Sequence, residues 1–143
     1  MVYPSQNRPQ SIKLENVKYK LENDQILTIH HITHPSEISS KLLEKLNQLF
    51  NEILIEGRTY PIENELDLEA FTSYYCAYDL FVGILSDEDD INKIDDNALD
   101  NLLAGCYYVK PNYIGRSSHV SFILVFRNLL LMNIIALQRW VYC

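Results

Sequence analysis

The chain has 143 residues, 48% hydrophobic and 22% charged, which is room for one globular domain. A formal net charge of −7 argues against a nucleic-acid phosphate backbone or an anionic membrane surface as the main partner. Cys76, Cys106 and Cys143 are widely spaced, form no CxxC pair, and read as free thiols of a reducing compartment, the cytoplasm or nucleus.

Residues 1–11 are polar and Pro-containing, a loose N-terminus rather than a secretory signal. Two strand-like runs follow, Ile12 to Tyr19 and Ile26 to Ile32, flanking a turn at Glu22-Asn23-Asp24. Ile38, Leu42, Leu46, Leu49, Phe50 and Ile53 then recur at helical spacing, with Lys41, Glu44, Lys45, Gln48 and Glu52 on the other face. Pro35 sits near this helix's start, Glu37 falls in its first turn, and Gly57 lies just past its end. Arg58-Thr59-Tyr60-Pro61 is a connector, and Leu66 to Tyr75 a shorter helix. Tyr78 to Leu85 and Leu102 to Lys110 are the next strands. Between them, Asp87, Glu88, Asp89, Asp90, Asp95, Asp96 and Asp100 are opposed only by Lys93, which predicts a solvated loop. Its spacing and lack of glycine do not fit a calcium loop. The order is α+β (or α/β), a mostly antiparallel sheet with a long helix on one face.

The most informative residues are Leu103-Ala104-Gly105-Cys106-Tyr107-Tyr108-Val109-Lys110-Pro111-Asn112-Tyr113, followed by Gly115-Arg116-Ser117-Ser118-His119. This stretch resembles the fungal branch of the GNAT-superfamily N-acetyltransferases. That branch includes enzymes that acetylate a toxic proline analogue, and a related chromatin regulator. Its members carry YxKPNY, a small residue, then GR-C/S-SH. The helix running into Gly57-Arg58-Thr59-Tyr60-Pro61 is similar to the same family's first helix and its TYP junction. The matching positions are Thr59, Tyr60, Pro61, Lys110, Pro111, Asn112, Tyr113, Arg116 and His119. The resemblance spans roughly residues 36–119 and implies the N-terminal half of a GNAT-like domain over 12–119.

It stops at the cofactor segment. In the family the SH pair leads into an Asn-Ala-Gly core strand and then an R-G-x-G-x-G/A loop opening a helix. Backbone N–H groups of such a loop cradle the acetyl-CoA pyrophosphate, and glycines let the phosphates approach. Here His119 is followed by Val120-Ser121-Phe122-Ile123-Leu124-Val125-Phe126-Arg127, and no glycine occurs after Gly115. The acetyl-CoA used by intact relatives therefore has no cofactor-binding residues to carry over, and no catalytic residue has a counterpart. The expectation is an acetyltransferase relative, truncated before its acetyl-CoA segment and inactive as this chain. A disrupted reading frame, an early stop or a misassigned exon boundary would produce such an ending. In intact relatives the acceptor is a small imino acid or a protein lysine.

Three rival readings remain. A second copy or a paralogue would complete the cofactor site. The chain would act as a regulatory fragment that competes with such a paralogue. Or the apolar tail, 120–143, would tether a small interaction protein to a membrane through 120–137. That stretch is about long enough for a span, but Arg127, Asn128 and Asn133 lie in it, and a central Arg costs about 2.5–3.5 kcal/mol on insertion scales. His30, His31 and His34 make no metal site, since His30 and His31 fall on opposite faces of a strand. Cys76 or Cys106 with His119 would be a nucleophile pair only if the thiols were not buried and inert.

Overall fold

Polar side chains decide where the long helix starts. The computed structural model describes residues 12–57, 64–111 and 121–127. Glu37 folds back so that its carboxylate accepts the Thr33 and His34 amides at 2.9 and 2.8 Å. His34 Nδ1 accepts the Ser36 amide at 3.2 Å, and this reciprocal capping closes a 3-10 turn over Pro35–Glu37. Ile38 is extended, and Ser39 Oγ accepts the Leu42 amide at 3.2 Å to start α1, Ser40–Glu56. Pro35 and Glu37 thus form a turn of their own instead of the helix's first turn, because Glu37 satisfies amides ahead of itself. Gly57 ends α1 at φ 70°, with its amide on Leu54 O at 3.0 Å.

Helix α2 is Leu68–Tyr75, capped by Asp67, whose carboxylate accepts the Ala70 amide at 2.7 Å. It starts later than periodicity predicts because Leu66 is tied to α1. The Leu66 amide donates to Asn51 Oδ1 and its carbonyl accepts from Asn51 Nδ2, both at 2.9 Å.

Strands β1 (Val17–Lys20), β2 (Ile26–Ile32), β3 (Asp79–Ile84), β4 (Leu103–Pro111) and β5 (Ser121–Arg127) form one sheet in chain order, every neighbouring pair antiparallel. The first strand begins at Val17, not Ile12. Ahead of it, Leu14 N donates to His31 Nδ1 at 2.9 Å and Lys13 Nζ bonds His31 O, which takes these residues out of the ladder. Asp24 turns the first hairpin at φ 62°, a conformation its short polar side chain tolerates. At the other end, β5 runs beside β4 from Gly105↔Arg127 to Pro111↔Ser121. The sheet therefore continues past residue 119, and β5 occupies the edge of β4. Of the apolar tail, 128–143 lie outside the described residues.

The sheet's two faces differ. On one, Leu42, Leu46, Leu49, Phe50 and Leu54 of α1 and Phe71 and Tyr75 of α2 pack on Ile32, Leu80, Val82, Ile84, Cys106 and Tyr108. Tyr75 is the aromatic centre, with ring centroids 4.3 Å from Phe50, 5.2 Å from Phe71 and 4.9 Å from Tyr108. The opposite face carries a smaller cluster, Leu27, Leu85 and Ala104, and a row of stacked rings. His31 lies 4.7 Å from Phe81 and Phe81 lies 4.6 Å from Tyr107, with interplanar angles of 15° and 9°. Neither α1 nor α2 belongs to this second cluster.

The acidic segment is more ordered than its composition suggests. It contains 3-10 turns at Ile91–Lys93 and Asp96–Ala98 and a short α3, Leu99–Leu102. Asp90 and Asp95 accept the Asn92 and Asn97 amides at 3.0 and 2.9 Å, so these acids serve as caps. Ile91 and Leu99 are buried in the main core and anchor the segment from beneath. Among the described residues, no helix is long and apolar enough to cross a membrane.

Candidate functional site

Two of the motif positions fall where β4 ends. Lys110 and Pro111 are its last residues, opposite Phe122 and Ser121 of β5. A strand end suits proline, which has no N–H to donate. Thr59, Tyr60, Pro61, Asn112, Tyr113, Arg116 and His119 lie outside the described residues.

Among the described side chains, the best candidate for acid–base chemistry is His31 with Asp79. The two residues are far apart in sequence, and the β2–β3 pairing brings them together, His31 opposite Phe81 and Ile32 opposite Leu80. His31 Nε2 is 2.8 Å from Asp79 Oδ1, and the ring is only 3% exposed. Nδ1 accepts the Leu14 amide, so Nε2 carries the hydrogen and donates it to Asp79. Both nitrogens are thereby engaged, and neither is left to take a proton from a substrate. The stacked Phe81 further fixes the ring. This is a structural histidine that ties the N-terminal segment to the sheet. No local sequence signal pointed to this pair.

His30 and His31 divide as the strand alternation predicts. His30 points to the helix-covered face and His31 to the ring-stacked one, so they cannot share a metal. His34 caps the Pro35–Glu37 turn. Among the described residues there is no group of three His, Cys, Asp or Glu that would hold a metal ion.

Both described cysteines are buried free thiols. Burial pushes the Cys76 thiol up to about 11 and the Cys106 thiol higher still, with Cys76 adding to the effect on Cys106. Such thiols are protonated near neutrality and poor nucleophiles. Tyr107 is also raised, by burial first and by Tyr19 second. Glu37 moves the other way. Burial opposes its ionisation, but hydrogen bonds from Lys13 and Thr33 outweigh that and lower it to about 2.

An open groove of about 580 Å³ lies between the Pro35 turn and α2, lined by Pro35, Leu43, Leu68, Glu69, Thr72, Ser73 and Ala77, with the Ser73 hydroxyl donating to Glu69 O at 2.7 Å. Its lining is mostly apolar. The Thr72 hydroxyl donates to Leu68 O at 2.6 Å and is spent inside its own helix. The groove thus offers little polar chemistry to orient a ligand. No family model matches the chain.

Proposed function

We propose that this chain is a relative of the acetyl-CoA-dependent N-acetyltransferases that does not carry out acetyl transfer by itself. The observation that carries the reading is a sequence break. The TYP junction at Thr59-Tyr60-Pro61 and the run from Tyr108 to His119 fit the fungal GNAT pattern, and no glycine follows Gly115. An α+β arrangement with a long helix against one face of an antiparallel sheet supports it.

Acetyl-CoA does not fit the residues present. A pyrophosphate cradle needs successive backbone amides that converge on one point, usually at a glycine-rich helix start. In the family a core strand leads into that loop; here β5 takes the place of the strand, and residues 128–143 offer no glycine for the loop. Acetyl transfer also depends on positioning and on a donor for the developing oxyanion, both of which presuppose a bound thioester. We therefore assign no reacting residue. The acceptor of an intact relative would be an imino acid or a protein lysine.

A chimera tests the relationship itself. Residues 120–143 would be replaced by the corresponding cofactor-binding half of an intact family member. The expected result is a folded protein that binds acetyl-CoA and releases free thiol when given an amine acceptor. A folded chimera that binds no acetyl-CoA would contradict the family reading.

A further inference from the structure

His30 sits on β2 with its side chain on the helix-covered face, beside Val82 of β3, and is only 3% exposed. Its Nε2 is buried and has no hydrogen-bond partner among the described residues. A buried polar atom left in this state is unusual and asks for an explanation.

The position is where the loop after β3 is pinned to the sheet. Thr28, two residues away on the same face, donates its hydroxyl to Ser86 O at 2.6 Å. The Val17↔Ile29 pair brings Asn16 alongside His30, and Asn16 Nδ2 donates to Asp89 O at 2.8 Å. Lys18 completes the clasp, bonding Asp87 Oδ1 at 2.6 Å and Asp89 Oδ1 at 3.0 Å. Residues 86–89 are thus held from three points around one imidazole.

We propose that His30 is an acid-sensitive latch, neutral and buried while the 86–92 loop is closed, and that its protonation releases this loop from the sheet. The imidazolium would need a partner for a second N–H, and none is in place among the described residues. Among the described residues, the charged groups that act on it are Asp89 and Asp90 from the loop and Lys13 and Lys18 from the N-terminal segment and β1. Two acids and two lysines cancel to first order, so no net field offsets the loss of solvation. Burial accordingly holds the group below its ordinary value of 6.5. Opening lets the ring reach water, and every proton taken up favours the open form.

Hydrogen exchange of amides 86–92, corrected for intrinsic rates, tests this on the full chain between about pH 7.5 and 5. Below 6.5 the opening constant should rise by up to about tenfold per pH unit in the wild type. It should be flat in His30→Phe, which keeps His31 and His34. Protection that does not change with pH, or an unchanged dependence in His30→Phe, would overturn the proposal. An NMR titration of the wild-type imidazoles decides the matter even if the variant does not fold. Shift changes of amides 86–92 that follow the His30 imidazole support the latch, and amides that do not follow it reject it.

Discussion

Glu37 shows how much one side chain organises. Its carboxylate holds the Thr33 and His34 amides and meets Lys13, joining the end of β2, the Pro35 turn and the N-terminal segment. Replacing it with Ala removes the cap and should lower stability by about 1–2 kcal/mol in chemical denaturation. The sign of the pH effect follows from its lowered value. A carboxyl that titrates at about 2 when folded and near 4.5 when unfolded stabilises above 4.5 and loses that contribution as pH falls toward 2. Glu37→Gln should flatten this part of the acid-unfolding curve, and an unchanged curve would show that the interaction is absent in solution. Asp79 gives a second residue-scale expectation. Asp79→Ala takes away the acceptor of a buried His31 N–H and should destabilise by about 1–3 kcal/mol, measured the same way. The His31–Asp79 pair was illegible in sequence because strand pairing, not spacing, makes it. Glu37 was visible as an acid near a helix start, but its side chain serves the residues before it.

Among the elements, α1 was the most legible. Its apolar residues recur at helical spacing, and Leu42, Leu46, Leu49 and Phe50 are all buried against the sheet. Leu46 is fully buried, so Leu46→Ala should cost about 2–5 kcal/mol in thermal or chemical unfolding. Gly57→Ala should be milder, about 1 kcal/mol, through strain at φ 70°, since the nearest atom to an added Cβ is 3.8 Å away and causes no clash. A loss in Gly57→Ala as large as that in Leu46→Ala would contradict this account of the helix end. Strands β3 and β4 were legible as aromatic and aliphatic runs on either side of the acidic segment. What that segment's composition hid was Ile91 and Leu99, two apolar anchors in a polar stretch long enough to read as a loop. Strand β5 was hidden for the opposite reason. Its residues are apolar without alternation, a pattern that fits a buried strand or a helix equally well.

For the whole molecule, the sheet has one face covered by α1 and α2 and another where His31, Phe81 and Tyr107 stack. Its five strands pair antiparallel in chain order as a meander, with the α1–α2 excursion between β2 and β3 and the acidic segment between β3 and β4. The proposed kinship with acetyltransferases rests on residues at the end of β4 and beyond, and in the 58–61 junction, most of them outside the described structure. Those motif positions were legible only as sequence. Under the proposed kinship their chemistry would require a glycine-rich cofactor segment, and residues 120–143 hold no glycine. Thermal unfolding of the purified chain, with and without saturating acetyl-CoA, tests that claim most directly. A ligand at about a hundred times its dissociation constant adds roughly 2.7 kcal/mol to the stability of the form that binds it. We predict a transition that acetyl-CoA leaves in place. A transition that moves up with acetyl-CoA would mean that the chain builds a cofactor site without the glycine loop, and would contradict the account.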